Sequence, residues 1–221
     1  VSEPASATFQ TEQYRIAREV RVRNLLRHTD PEQLRGKTIL ELGCGSGEIG
    51  ACFEALGCRV ISVDASPAHL DDLGRNYPHR ERRRVDLDRL DPSEFPGVDI
   101  VLSFGLFYHL SRPTAHARAV ARIAPTLWLE TVVCDSDEAE VLLVEETGDD
   151  QAAGGVGCRP SPAWIELVHE ALGYRVTDIS SPDCNWPGPY GSVFDWTPRN
   201  DRASFRDGCF LRRMYLMERA R

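Results

Sequence analysis

The chain has 221 residues, 42% hydrophobic and 27% charged, enough apolar content for the core of one ordinary α/β domain and too much for a disordered polymer. Its formal charge is −8, 26 basic against 34 acidic residues, which argues against broad sequence-independent binding to nucleic acid. No apolar run approaches the roughly 18 residues a membrane span needs. The start, Val1-Ser2-Glu3-Pro4-Ala5, lacks the basic and apolar stretches of a secretion signal, so a cytoplasmic protein is expected.

In chain order, the first ten residues read as a loose arm. From Thr11 to about His28 there is no Gly or Pro, and Tyr14, Ala17, Arg18, Val22, Leu25 and Leu26 recur as on a helix, which Asp30-Pro31 ends. Strand-like and helix-like stretches then alternate. Residues 38–42 form a first strand, 48–56 a helix stopped by Gly57, and 59–63 a second strand. Ser66-Pro67 opens a helix to about Asn76, and 83–85 is a weak third strand. Residues 98–103 form a fourth strand, 113–123 a helix, and 127–133 a fifth strand. Ser161-Pro162 opens a helix with Trp164, Leu167, Val168, Ala171 and Leu172 on one face; 174–179 and 210–217 are the last two strands.

This alternation predicts a doubly wound, mostly parallel sheet covered on both faces. Residues 1–35 are expected as an N-terminal arm and helix acting as a lid, and 36–221 as the main domain. Two stretches break the rhythm: 145–160, rich in Gly and Asp, and 180–208, with four prolines and the aromatics Trp186, Tyr190, Phe194 and Trp196. Irregular segments of that length in a compact domain are usually binding elements, and both are expected to cap a substrate. The seven cysteines are an odd number without a CxxC pair and read as reduced thiols; the histidines at 28, 69, 79, 109, 116 and 169 have no ligand spacing, so no metal is expected. Lys37 is the only lysine.

The informative segment is Ile39-Leu40-Glu41-Leu42-Gly43-Cys44-Gly45-Ser46-Gly47-Glu48-Ile49-Gly50, a strand running into glycines and then a helix. Such a turn brings main chain close to a ligand with no Cβ in the way. At the carboxyl edge of a parallel sheet it borders the crevice where ligands bind. The dinucleotide fingerprint GxGxxG would need glycine where Glu48 stands; the pattern is acidic-x-GxGxG. About twenty residues on, Val63-Asp64-Ala65-Ser66-Pro67 puts a carboxylate at the tip of the second strand, suited to both ribose hydroxyls. Val85-Asp86-Leu87 follows the third strand, and Val98 to Leu110 is a fourth strand spilling into the site.

These four features resemble the class I S-adenosylmethionine (SAM)-dependent methyltransferases. The resemblance covers about 36–217 and is strong in 38–110. It implies a Rossmann-like seven-stranded sheet with the last strand antiparallel, and SAM as cofactor with S-adenosylhomocysteine as product. It turns Glu41, Gly43, Gly45 and Gly47 to the methionine half, Asp64 and Ala65 to the ribose, Asp86 to the adenine amino group and the Leu87 N–H to a ring nitrogen, with backbone contacts around Phe104. Asp88 and Asp91 are alternatives to Asp86. Within that superfamily, residues 105–113 with Tyr108-His109 and Leu129-Glu130-Thr131 are most similar to the tRNA wobble-uridine carboxymethyltransferases, which use a carboxylated SAM. A shorter, acidic chain with one lysine departs from that branch.

Transfer from a sulfonium is an in-line displacement needing alignment, dryness and sometimes a base. His109, Tyr108 and Glu130 are the candidate catalytic groups. His109 suits proton acceptance near neutral pH; the alternatives are a structural hydrogen bond for His109 and packing over the cofactor for Tyr108. Glu130 lies mid-strand among apolar neighbours, costly unless it lines a polar cavity. Tyr14, Trp186, Tyr190, Trp196 and Arg199 are the candidate substrate contacts, with Asn185 and Asp195 beside them. Asp149-Asp150-Gln151 could bind a cationic or hydrogen-bonding group. Arg15, Arg18 and Arg21 share a side with Tyr14 and could close over the cofactor carboxylate, although most are expected to face solvent. The run Arg80-Glu81-Arg82-Arg83-Arg84 is the one local argument for RNA, and it reads as a solvated edge.

The expected function is methyl transfer to an oxygen or nitrogen of a small molecule or short peptide. The alternatives are an RNA-modifying methyl- or carboxymethyltransferase and a catalytically silent SAM-binding partner subunit.

Overall fold

The Thr11 hydroxyl accepts the Tyr14 N–H at 3.2 Å and starts helix α1, Glu12–Arg27. From there the computed structural model describes residues 11–146, 154–188 and 191–219. The elements that follow are β1 (Thr38–Leu42), α2 (Glu48–Glu54), β2 (Arg59–Asp64), α3 (Pro67–Asn76), β3 (Glu81–Arg84), β4 (Ile100–Phe104), α4 (Pro113–Ile123) and β5 (Thr126–Val132). Then come β6 (Val141–Glu145), β7 (Val156–Pro160), α5 (Pro162–Ala171), β8 (Arg175–Asp178), β9 (Gly191–Val193), β10 (Phe205–Arg206) and β11 (Cys209–Glu218).

The main sheet runs β3-β2-β1-β4-β5-β11-β8. The first five are parallel, and β11 is antiparallel to both β5 and β8. This is the expected Rossmann-like sheet with its last strand reversed. The central strands β1, β4 and β5 are buried on both faces, as parallel strands under two helical layers must be. Ile39, Leu102, Trp128 and Met214 pack with Ala17, Val20 and Leu25 of α1 and Phe53 of α2. Leu40, Val101, Leu127, Leu129 and Tyr215 face α4 and α5 on the other side. Helix α1 is thus anchored through its second half, and its first turns overhang the sheet.

Strand order reverses between β1 and β4, and the crevice at that reversal is where ligands bind in open α/β sheets. Two stretches differ from the sequence reading. Part of 145–160 is regular: β6 and β7 pair antiparallel with Leu143 opposite Cys158. The third strand is 81–84 rather than 83–85; it is a sheet edge, where charged side chains point to water and block pairing with other chains. Among the described residues no helix is long and apolar enough to cross a membrane, and no group of three or more His, Cys, Asp and Glu side chains could hold a metal ion.

Candidate active site

Glycines 43, 45 and 47 take φ of 65°, 53° and 89°, values an L side chain rarely adopts. At Gly47 a Cβ would lie 2.7 Å from Arg80 Nη1, so another residue there would be strained by its backbone angle and would push the Arg80 guanidinium aside. Arg80 donates to the Gly47 carbonyl at 2.6 Å and to both Glu54 oxygens, and it stacks on Tyr77 at 4.2 Å. It is 3% exposed. The expected solvated edge therefore holds for Arg82, Arg83 and Arg84 but fails for Arg80, which pins the turn from behind.

Glu41 lies under the same turn. Its oxygens accept from the Ser62 hydroxyl at 2.6 Å and the Gly50 N–H at 2.8 Å, with Arg80 at 3.6 Å. Burial raises its pKa to about 7, against the lowering influence of those donors. Asp64 accepts from the Gly45 N–H at 3.0 Å and the Ser66 N–H at 2.9 Å, and His69 Nδ1 is 3.3 Å away. A carboxylate has about four acceptor positions, so Asp64 also orders the turn and retains capacity for one further donor. Asp86 is exposed and caps a short turn at 87–89; Leu87 is buried above it, and Ala65 is half-buried.

Tyr14, Arg18, Glu41, Leu42, Gly43, Cys44, Glu48, Ile49, Leu102 and Phe104 surround a narrow cleft between α1 and the glycine turn. Tyr14 and Arg18 stand one helical turn apart over it.

A second group gathers around Glu130 near the carboxyl end of β5. Glu130 is fully buried. Arg212 Nη1 reaches one of its oxygens at 2.7 Å, and Arg21 Nε lies 3.0 Å from the other. The two guanidiniums share the Trp186 ring, at 5.0 Å for Arg21 and 5.5 Å for Arg212, and Arg212 also sits 5.0 Å from the Tyr108 ring. Ser192 Oγ accepts from Arg212 Nε at 3.0 Å. Tyr14 borders this group as well; burial pushes its hydroxyl up to about 12, with smaller influences from Arg21, Tyr108, Arg212 and Glu130.

His109 forms a third group with Glu146 and Arg159. Its Nδ1 is 2.6 Å from Glu146 Oε2, and Arg159 donates to Oε1 at 2.8 Å. Arg159 also donates to the Tyr108 carbonyl at 3.1 Å, so the β6–β7 hairpin braces the turn carrying Tyr108 and His109.

Two expected substrate contacts lie elsewhere. Trp196 packs on the opposite side of the sheet from Trp186, donating to the Arg212 carbonyl at 3.3 Å under the Arg213 guanidinium. Its indole fills the core where odd-numbered β11 residues point. Arg199 is exposed, and only its main-chain N–H is held, by Asp135. Asn185 and Asp195 bond to each other at 2.7 Å. Tyr190 and Asp149-Asp150-Gln151 lie outside the described residues. Of Arg15, Arg18 and Arg21, most of which are expected to face solvent, Arg21 is the buried one, 3% exposed. Arg212 and Glu146 escaped the sequence reading; the rule that singled out Glu130, a charge inside an apolar strand, applies equally to Arg212 in Phe210-Leu211-Arg212-Arg213-Met214.

Residues 40–125 match the family model described as a methyltransferase domain. The chain carries a class I SAM-dependent methyltransferase domain. The matched span begins in β1 and ends before β5, taking in the glycine turn, Asp64, Asp86 and the Tyr108-His109 turn. The chain is also similar to tRNA U34 carboxymethyltransferases. One from Shewanella sp. (strain ANA-3) is 34% identical over 133 residues, 54% of this chain and 38% of its own length. Another, from Pseudoalteromonas translucida (strain TAC 125), is 31% identical over 167 residues, 72% and 50% of the two lengths. The chain spans half or less of these relatives. Among solved structures, the N-terminal domain of EvdMO1, crystallised in the presence of S-adenosylhomocysteine and D-fucose, superposes with TM-score 0.68 at 17% identity, covering 96% of this chain and 84% of that one. Burkholderia thailandensis 1,6-didemethyltoxoflavin-N1-methyltransferase gives 0.57 at 17%, over 92% and 79%. At such identities these two share the domain's fold.

Proposed function

We propose that the domain transfers the methyl group of SAM to an oxygen or nitrogen of a small molecule or short peptide. The observation that carries this reading is the cleft beneath Tyr14 and Arg18, floored by the glycine turn and Glu41, with Asp64 one strand away. The residues present suit the cofactor: a turn with glycine at 43, 45 and 47 for the amino-acid half, spare acceptor capacity on Asp64, with Ala65 beside it, for a ribose hydroxyl, and Asp86 and Leu87 at the next strand tip for the adenine. Main chain at Phe104 completes that wall. When bound, SAM supplies a methyl group already activated on its sulfonium.

The chain must then align the acceptor, exclude water and take a proton. With Glu146 accepting from Nδ1–H, His109 keeps Nε2 as the proton acceptor. Tyr108 and Trp186 wall the acceptor side, and Tyr14 closes it from α1. Glu130, ion-paired through both oxygens, holds Arg21 and Arg212 in place. Of the three candidate catalytic groups, His109 is the one assigned as the base.

Carboxymethyl transfer to RNA is the second reading, favoured by Arg159 and Arg212 beside the Tyr108 ring and by the relatives' printed activity. Incubating the protein with SAM, or with its carboxylated form, and candidate acceptors tests both. Release of S-adenosylhomocysteine with a methyl increment on a small acceptor supports the first reading, and a carboxymethyl increment on tRNA supports the second. Absence of SAM and S-adenosylhomocysteine binding in calorimetry would defeat either.

A further inference from the structure

His116 stands in the first turn of α4 and is 2% exposed. Its Nδ1 lies 2.8 Å from the Leu87 carbonyl oxygen. A carbonyl only accepts, so Nδ1 carries the proton. Nε2 is buried with no hydrogen-bond partner among the described residues, and the ring meets Phe107 edge-on at 5.8 Å. Burial lowers the His116 pKa, against the opposing pull of the Leu87 carbonyl and the Asp88 charge, so the ring is neutral near pH 7.

The residue that this imidazole grips carries the main-chain donor turned to the adenine. Leu87 opens the short turn at 87–89, a position whose N–H has no partner within the turn, and no other described residue accepts from it. Asp86 spends one oxygen on the Asp88 N–H at 3.1 Å, and its other oxygen has only Arg89 Nε nearby, at 3.6 Å. A donor and an acceptor thus stand side by side. Adenine offers their complement on one edge, an accepting ring nitrogen beside a donating amino group; hypoxanthine reverses both. Behind the turn, Asp88 accepts from the Ser111 N–H at 3.2 Å, the Ser111 hydroxyl at 2.8 Å and the Arg112 N–H at 2.9 Å. Among the described residues His116 is the one side chain bonded to Leu87 itself. A main-chain donor on a turn discriminates between bases only when its direction is fixed, and that anchor comes from α4.

Resting on the assignment of Asp86 and Leu87 to the adenine of SAM, we propose that His116 is a positioning residue for base recognition, its Nδ1–H fixing Leu87 so that the domain selects adenine over hypoxanthine. The probes are S-adenosylhomocysteine and its inosine counterpart, S-inosylhomocysteine, titrated by calorimetry. The wild-type protein should bind the adenine form tighter by about tenfold or more. His116→Phe keeps a ring against Phe107 and removes the donor. It should shrink that ratio by about fivefold or more through the adenine form, with affinity for the inosine form within about twofold. His116→Asn, whose amide can place an N–H near the position of Nδ1–H, should return most of the ratio. An unchanged ratio in His116→Phe with only a lower thermal midpoint, or an equal loss for both ligands, overturns the proposal and leaves the adenine assignment standing. Imidazole nitrogen NMR of the wild-type protein tests it without any variant: neutral His116 protonated on Nε2 could not donate from Nδ1, and the proposal would fall. A wild-type protein that binds both forms alike removes Asp86 and Leu87 from the base, and this proposal with them. One that binds neither takes down the methyl-transfer reading as well.

Discussion

Glu130 on β5 and Arg212 on β11 meet at 2.7 Å across 82 positions of sequence, and Arg21 from α1 closes on the other carboxylate oxygen at 3.0 Å. The antiparallel pairing of β5 with β11 sets the first distance: Glu130 pairs with Met214, and Arg212 is the next residue on the same face. One carboxylate thus ties the N-terminal helix, the middle of the sheet and the last strand. Removing it leaves two guanidiniums buried without their counter-charge. Glu130→Ala should destabilise the protein by about 3–5 kcal/mol, read as a lower urea midpoint. An unchanged midpoint would mean the cluster is solvated in solution.

The elevated Glu41 pKa has a pH consequence. Its folded value of about 7 lies above the ordinary 4.5, so between those pH values the folded state holds a proton that the unfolded state has lost. The contribution to stability is complete below about pH 4.5 and drains away as the pH climbs toward 7. Glu41→Gln keeps an acceptor for Ser62 and Gly50 and cannot titrate, so its stability should vary less over that window. Chemical denaturation at a series of pH values checks this, and parallel curves for the two proteins would rule it out.

Asp64 anchors the Gly45 N–H and, in the proposed function, a ribose hydroxyl. Asp64→Ala should weaken SAM binding by about 1–3 kcal/mol. Calorimetry returning wild-type affinity would remove Asp64 from the nucleoside site.

His109 and Glu146 form a base with its orienting partner in the proposed mechanism. His109→Ala should lower turnover by roughly 10²-fold while sparing cofactor affinity. Glu146→Gln should give a smaller loss, on the order of tenfold, because Arg159 still braces the Tyr108 turn. Full turnover in His109→Ala would return the histidine to a structural role.

The local rules that governed the core elements were readable residue by residue. Ser66-Pro67 and Ser161-Pro162 start α3 and α5 through side-chain caps at His69 and Trp164, and Gly43 and Gly47 occupy backbone conformations that the acidic-x-GxGxG spacing anticipates. Glu41 and Asp64 follow from that spacing because the strand-to-turn geometry they need is contained within a few residues. Trp196 and Arg199 did not follow. An aromatic-rich loop can fold over either side of a sheet, and here Trp186 packs on one side while Trp196, ten residues on, packs on the other.

Sequence alone determined the class of fold, the glycine turn and the acids beside it, since each depends on short-range spacing and on alternation between strand and helix periods. Tertiary structure decided which charges are buried. Arg21 and Arg80 look like any of the 25 arginines until the sheet is assembled and α1 is laid over it, because burial and pairing of a charge are set by neighbours distant in the chain.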